Sequence, residues 1–79
     1  MATALDEITA TLLRVGKLES IGLEEDIYEA GFPSIQALEL LLELESACGV
    51  SIPDDQFMKA RTARALLGLV VGLQQEQAA

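Results

Sequence analysis

Apolar residues in this chain recur at spacings of three and four and nowhere settle into the strict alternation of a half-buried strand, which confines the fold to helices. In the first segment Leu5, Ile8, Leu12 and Val15 make a core-facing stripe, with Thr3 or Asp6 to cap its start and Gly16 to end it. A second helix is expected from Ser34 to Cys48. It carries two stripes: Leu41, Leu44 and Cys48 with Ala37 and Leu40 beside them, and Ile35, Leu38 and Leu42 next to Glu39, Glu43 and Glu45. One stripe is enough to bury a helix in a bundle. The second is either packed on another side or left as a contact surface bordered by charge. Gly49 is a C-cap, and Val50 to Pro53 is extended by its proline. Asp54 or Asp55 would cap a short helix near Asp55 to Ala60. Thr62 would cap a last one whose buried face is Ala65, Leu66, Leu69, Val70 and Leu73. Gly68 and Gly72 each cost that helix about 1 kcal/mol relative to alanine, for which close helix packing is one reason. The tail from Gln74 to Ala79 is expected to fray.

The expected fold is therefore all-α: an up-and-down bundle of three main helices plus a short one, with a long loop between helices 1 and 2. That connection, Lys17 to Pro33, is long for so small a bundle, and Leu18, Ile21, Leu23, Ile27, Tyr28 and Phe32 can pin it to the core. A long anchored loop in a small bundle is often functional. With 79 residues the chain is expected to be a single domain spanning 1–79, too small for most enzyme folds. Its one cysteine, Cys48, can form no internal disulfide and reads as a small buried apolar residue in a reducing compartment. The N-terminus lacks the basic start and apolar stretch of a signal peptide, and the longest apolar run, Ala65 to Leu73, is too short to cross a bilayer. The expectation is a soluble, cytoplasmic monomer with no membrane partner.

A net charge of −8 argues against a nucleic-acid partner. Its distribution says more. Between Leu18 and Met58 there are ten carboxylates and no basic residue, and Arg14, Lys17, Lys59, Arg61 and Arg64 all lie outside that window. Such a face either keeps the protein solvated or serves as a landing surface for basic enzymes. The sequence has no histidine, so the commonest general base and the Cys/His metal sites are excluded. The acidic pairs lack the spacing of a calcium loop, and no phosphate-binding glycine motif is present. No catalytic set converges, and an enzyme is not expected. What remains is Ser34, at the point where an irregular loop gives way to a strongly periodic helix. By position alone, such a serine is an N-cap worth about 0.5–2 kcal/mol.

The loop end Asp26-Ile27-Tyr28-Glu29-Ala30-Gly31, the serine, the helix Leu38-Glu39-Leu40-Leu41 and the exit Cys48-Gly49-Val50-Ser51-Ile52-Pro53-Asp54-Asp55 resemble acyl and peptidyl carrier proteins over nearly the whole chain. Thr62 at the opening of the final helix matches as well. The resemblance implies that Ser34 carries a covalent 4′-phosphopantetheine whose thiol holds an acyl or aminoacyl cargo as a thioester. It implies apolar partner contacts at Ile35, Leu38 and Leu42, acidic grips at Glu39, Glu43 and Glu45, and an acidic rim at Asp54 and Asp55. The implied partners are a phosphopantetheinyl transferase and an adenylate-forming ligase, or an acyltransferase or synthase. A long acyl cargo would need a cavity among Leu40, Leu41, Leu44, Ile52 and Leu66, whereas a short polar one would ride in solvent.

The sequence departs from that family where Pro33-Ser34-Ile35 stands for the common Asp-Ser-Leu, and where Gln36 replaces a frequent second acid. The departures favour a specialised stand-alone carrier over a housekeeping fatty-acid one. The pattern also looks like free-standing aminoacyl carriers and, less closely, the D-alanyl type. Two alternatives stay open: a carrier-like fold that is not modified and acts as an interaction or regulatory module, and an unrelated acidic adaptor in which Ser34 only caps.

Overall fold

The computed structural model describes residues 3–78. Its helices are α1 (Ala4–Gly16), α2 (Ala37–Cys48), α3 (Asp54–Lys59) and α4 (Ala63–Gln77), with a 3₁₀ turn at Ser34–Gln36 leading into α2. α1 packs against both α2 and α4, and α3 leans on α4. The described residues form no strand, only one isolated antiparallel bridge between Asp26 and Thr62. The expected bundle of three main helices and a short fourth is present, and so is its long first connection.

The core is drawn from the stripes seen in the sequence. Ile8, Leu12, Leu40, Leu44, Leu66 and Val70 are fully buried, and Ile27 and Phe32 bring the loop into the same cluster. Leu18, Ile21, Leu23 and Tyr28 pack on it from outside. Cys48 is half-buried, and burial, with Glu7 nearby, pushes its thiol pKa up, so it is a poor nucleophile.

Helix ends follow local chemistry. Thr3 and Asp6 form a reciprocal capping box: the Asp6 N–H donates to Thr3 Oγ1 and the Thr3 N–H to Asp6 Oδ2, both at 3.1 Å. The Ala65 N–H donates to Thr62 Oγ1 at 3.0 Å at the start of α4. Gly49 ends α2 in the left-handed region, φ 68°. At the end of α1, however, the left-handed residue is Lys17, not Gly16. Gly16 is required for another reason: a Cβ there would lie 2.5 Å from Phe32 Cδ2. The ring occupies the space a side chain would need.

Four further expectations are corrected. Pro33 stands at the start of the 3₁₀ turn, so Ser34 is not an N-cap. Pro53 likewise precedes α3 with no side-chain cap, and Asp54 and Asp55 lie in its first turn, where their charge suits the helix dipole. The tail does not fray at Gln74. α4 continues to Gln77 because Gln74 Nε2 donates to the Cys48 carbonyl at 3.1 Å. The Gln77 amide also pairs with both backbone groups of Ser51, at 3.0 and 2.9 Å. Ala79, the last residue of the expected tail, lies outside the described residues. Nor do Gly68 and Gly72 serve close packing within the chain, since a Cβ on either would meet nothing within 4 Å.

Candidate functional site

The loop before Ser34 is wound tightly by its own backbone. Asp26 Oδ1 accepts from the N–H groups of Tyr28 and Glu29, at 2.9 and 3.1 Å. The Asp26 carbonyl accepts from the Ala30 N–H at 2.9 Å, and the Ile27 carbonyl from the Phe32 N–H at 2.9 Å. Closing this turn needs Gly31 at φ 115°, a backbone state closed to ordinary side chains. Phe32 then drops into the core against Gly16, with its edge toward Tyr28 at a ring separation of 6.1 Å. Pro33, extended at φ −69°, ψ 127°, turns the chain outward. Ser34 emerges exposed on the next residue, its backbone held by Gln36 N–H to Pro33 O at 2.9 Å and by the Ala37 N–H to its own carbonyl. Its hydroxyl bonds to no described residue.

Two shallow depressions adjoin this serine. One, of ≈ 220 Å³, is bounded by Tyr28, Ser34, Ala37, Met58 and Arg61. The other, ≈ 240 Å³ and lined mostly by apolar side chains, lies between α2 and α3 and is bounded by Ala37, Leu38, Leu41, Asp54, Phe57 and Met58. Ala37 and Met58 border both, so they form one groove from Ser34 to Asp54. Around it stand the exposed apolar side chains Ile35 (89 % exposed), Leu38 (65 %), Leu42 (55 %) and Met58 (63 %). The second stripe of α2 is thus a surface. Of the five residues considered for an acyl cavity, Leu40, Leu44 and Leu66 are wholly enclosed, Ile52 nearly so, and Leu41 alone of them borders the groove.

The acidic residues grouped by sequence separate in space. Glu43 Oε1 accepts from Arg14 Nη2 at 2.7 Å, and Glu45 Oε2 from the Ile52 N–H at 2.8 Å, which braces the exit from α2. Glu39 makes no bond to any described residue and stands free beside Leu38 and Leu42. Asp54 borders the groove and Asp55 is exposed next to it. The cations outside the acidic window fold back on it: Arg64 pairs with Glu24, and Arg61 Nε donates to Asp26 Oδ2 at 2.7 Å. That bond, followed by the Glu29 N–H, holds the Asp26 carboxyl below its usual pKa. Arg61 also lies over the Tyr28 ring, 4.7 Å from its centre. Burial raises the Tyr28 phenol pKa, so it stays protonated.

Sequence reasoning missed Met58 and Arg61 as parts of this surface. Met58 sits on a helix too short to show a periodicity, and Arg61 reads as one of several scattered cations until the loop is folded against it.

A family model described as the phosphopantetheine attachment site matches residues 3–70. The chain belongs to this family of carrier domains. No curated protein and no solved structure matches it. Carrier domains of this kind bear 4′-phosphopantetheine covalently and are not themselves catalytic. The residues present fit such a group, because an unbonded hydroxyl, Ser34, and a cationic side chain, Arg61, border the same depression. Carrier proteins in general meet phosphopantetheinyl transferases and synthase or ligase enzymes. Among the described residues no helix is long and apolar enough to cross a membrane.

Proposed function

We propose that Ser34 is the attachment residue and that this chain is a specialised acyl or aminoacyl carrier. The observation that carries the reading is the unbonded, exposed Ser34 hydroxyl at the end of a loop whose N–H groups from Ile27 to Phe32 are all hydrogen-bonded. A hydroxyl used as a cap would already be engaged. This one is free to give its proton to a transferase's base and attack the phosphoanhydride of a phosphopantetheine-bearing nucleotide, forming the phosphodiester as the nucleotide phosphate leaves. When bound, the group supplies a terminal thiol that holds cargo as a thioester. The chain's own work is to fix the root of the arm, to keep Phe32 and Pro33 rigid beneath it, and to offer partners an apolar patch at Ile35, Leu38 and Leu42 flanked by Glu39.

The enclosed core supports a short or polar cargo, aminoacyl among them, loaded by an adenylate-forming ligase. Leu40, Leu44 and Leu66 leave no exposed route between them. A cargo of this kind needs only the surface groove or solvent. Intact-protein mass after co-expression with a broad-specificity phosphopantetheinyl transferase tests the attachment. One added phosphopantetheine, absent in Ser34→Ala, is the expected result. No increment with several transferases would instead favour an unmodified interaction module, with Pro33 the first residue to revert to aspartate.

A further inference from the structure

Among the described residues five side chains are cationic, and only Arg61 borders the depression that holds Ser34. Arg14 is turned to Glu43 and Arg64 to Glu24. Arg61 is held in place from two sides. Its Nε donates to Asp26 Oδ2 at 2.7 Å and Nη2 reaches Asp26 Oδ1 at 3.5 Å, while its plane rests over Tyr28. A guanidinium has five N–H donors, so Asp26 occupies two of them and three remain. No described residue accepts from those three. Asp26 is in turn fixed by the Tyr28 and Glu29 N–H groups, so the orientation passes from the loop backbone to Asp26 and from Asp26 to Arg61.

A fork with spare donors beside an esterifiable hydroxyl is a half-built phosphate site. Resting on the attachment proposed above, we infer that Arg61 binds the phosphodiester formed on Ser34 and seats the root of the arm in the groove bounded by Tyr28, Ala37 and Met58. Asp26 is the positioning residue, and Arg61 need not leave it to take a phosphate oxygen. The group bound is a singly charged phosphodiester, and Arg suits it because its planar fork keeps donors for both anions at once. Lysine carries its three donors on one nitrogen and lacks the planar fork that can face two anions along separate edges. Because Arg61 is half-exposed, the bias toward the seated root is modest, about two- to fivefold over the free arm, as for other solvent-facing pairs, and it weakens with salt.

The test is nitrogen-15 NMR of the wild-type protein before and after modification, with mass confirming the arm. The expected result is that the Arg61 guanidinium N–H resonances shift on modification while those of Arg14 and Arg64 stay, with the shift shrinking in added salt. In modified Arg61→Lys, which keeps the charge near Asp26, the arm's phosphorus resonance should move toward that of the same serine phosphodiester in the urea-unfolded protein. Unmoved Arg61 resonances in protein whose mass carries the arm would overturn this inference and leave the attachment standing. Absence of the arm at Ser34 would overturn both.

Discussion

Ser34 is the first residue of the 3₁₀ turn that leads into α2. A serine opening a helix ordinarily caps it, but here Pro33 takes that position and the hydroxyl is left over. Ser34→Ala should therefore change stability by less than about 0.5 kcal/mol in urea titration, the range of plain surface substitutions. A loss of a full kcal/mol would mean that the hydroxyl is a structural cap after all. Gly16 is the opposite case. It looks like a helix stop, yet its space is filled by the Phe32 ring. Gly16→Ala should cost about 1–3 kcal/mol by overpacking, measured by the same titration, unless the ring moves without strain. Asp26 adds a pH signature. Its folded-state carboxyl is held below the unfolded value, first by the Arg61 bond, so it adds stability above the ordinary carboxylate pKa. That contribution is lost as pH falls through the lowered value. Asp26→Asn should lower stability at neutral pH and flatten the acid side of the stability profile. An unchanged acid limb would show the pair to be without effect.

At the scale of elements, much of the bundle could be read directly. The stripe of α1, the Leu66, Val70 and Leu73 part of that of α4, the Thr62 cap and the Gly49 stop were legible because each is set by residues within a few positions of one another. Ala65, however, proves exposed, and Ala63 takes its place in the core. The two-stripe reading of α2 was legible too, but not which stripe faced water, since that depends on where α1 and α3 come to rest. The tail was misread for the same reason. Gln74 and Gln77 have no local signal, and their partners, Cys48 and Ser51, lie 26 residues away. Gln77→Ala should speed hydrogen exchange at the Ser51 amide while leaving the middle of α4 protected. Equal exchange in both proteins would show the clamp to be idle. Around the proposed site, the second stripe of α2 was legible as a candidate surface, and Ile35, Leu38 and Leu42 are indeed exposed. Arg61 was not legible, because its meaning comes only when Asp26 and Tyr28 are folded beneath it.

For the molecule as a whole, charge is where composition and structure differ most. The sequence has a long acidic window, but Arg14, Arg61 and Arg64 return to it and quench part of it. Glu39 and Glu43 should accordingly differ in their effect on partners. Glu39→Lys removes a free charge beside the apolar patch and should slow loading of modified protein several-fold at low salt, with little effect at high salt. Glu43→Lys should act less on loading and instead repel Arg14. Equal slowing by both, in loading rates followed at two salt concentrations, would return Glu43 to the contact surface. The tied loop beneath Ser34 has a further consequence. Bonds along the loop from Ile27 to Phe32, and the Ala37 N–H on the Ser34 carbonyl, hold the serine's backbone, so it is a pivot rather than a hinge. Anything hung from it starts from one fixed point and reaches no farther than its own extended length, so each successive enzyme must bring its reactive centre within that radius of Ser34.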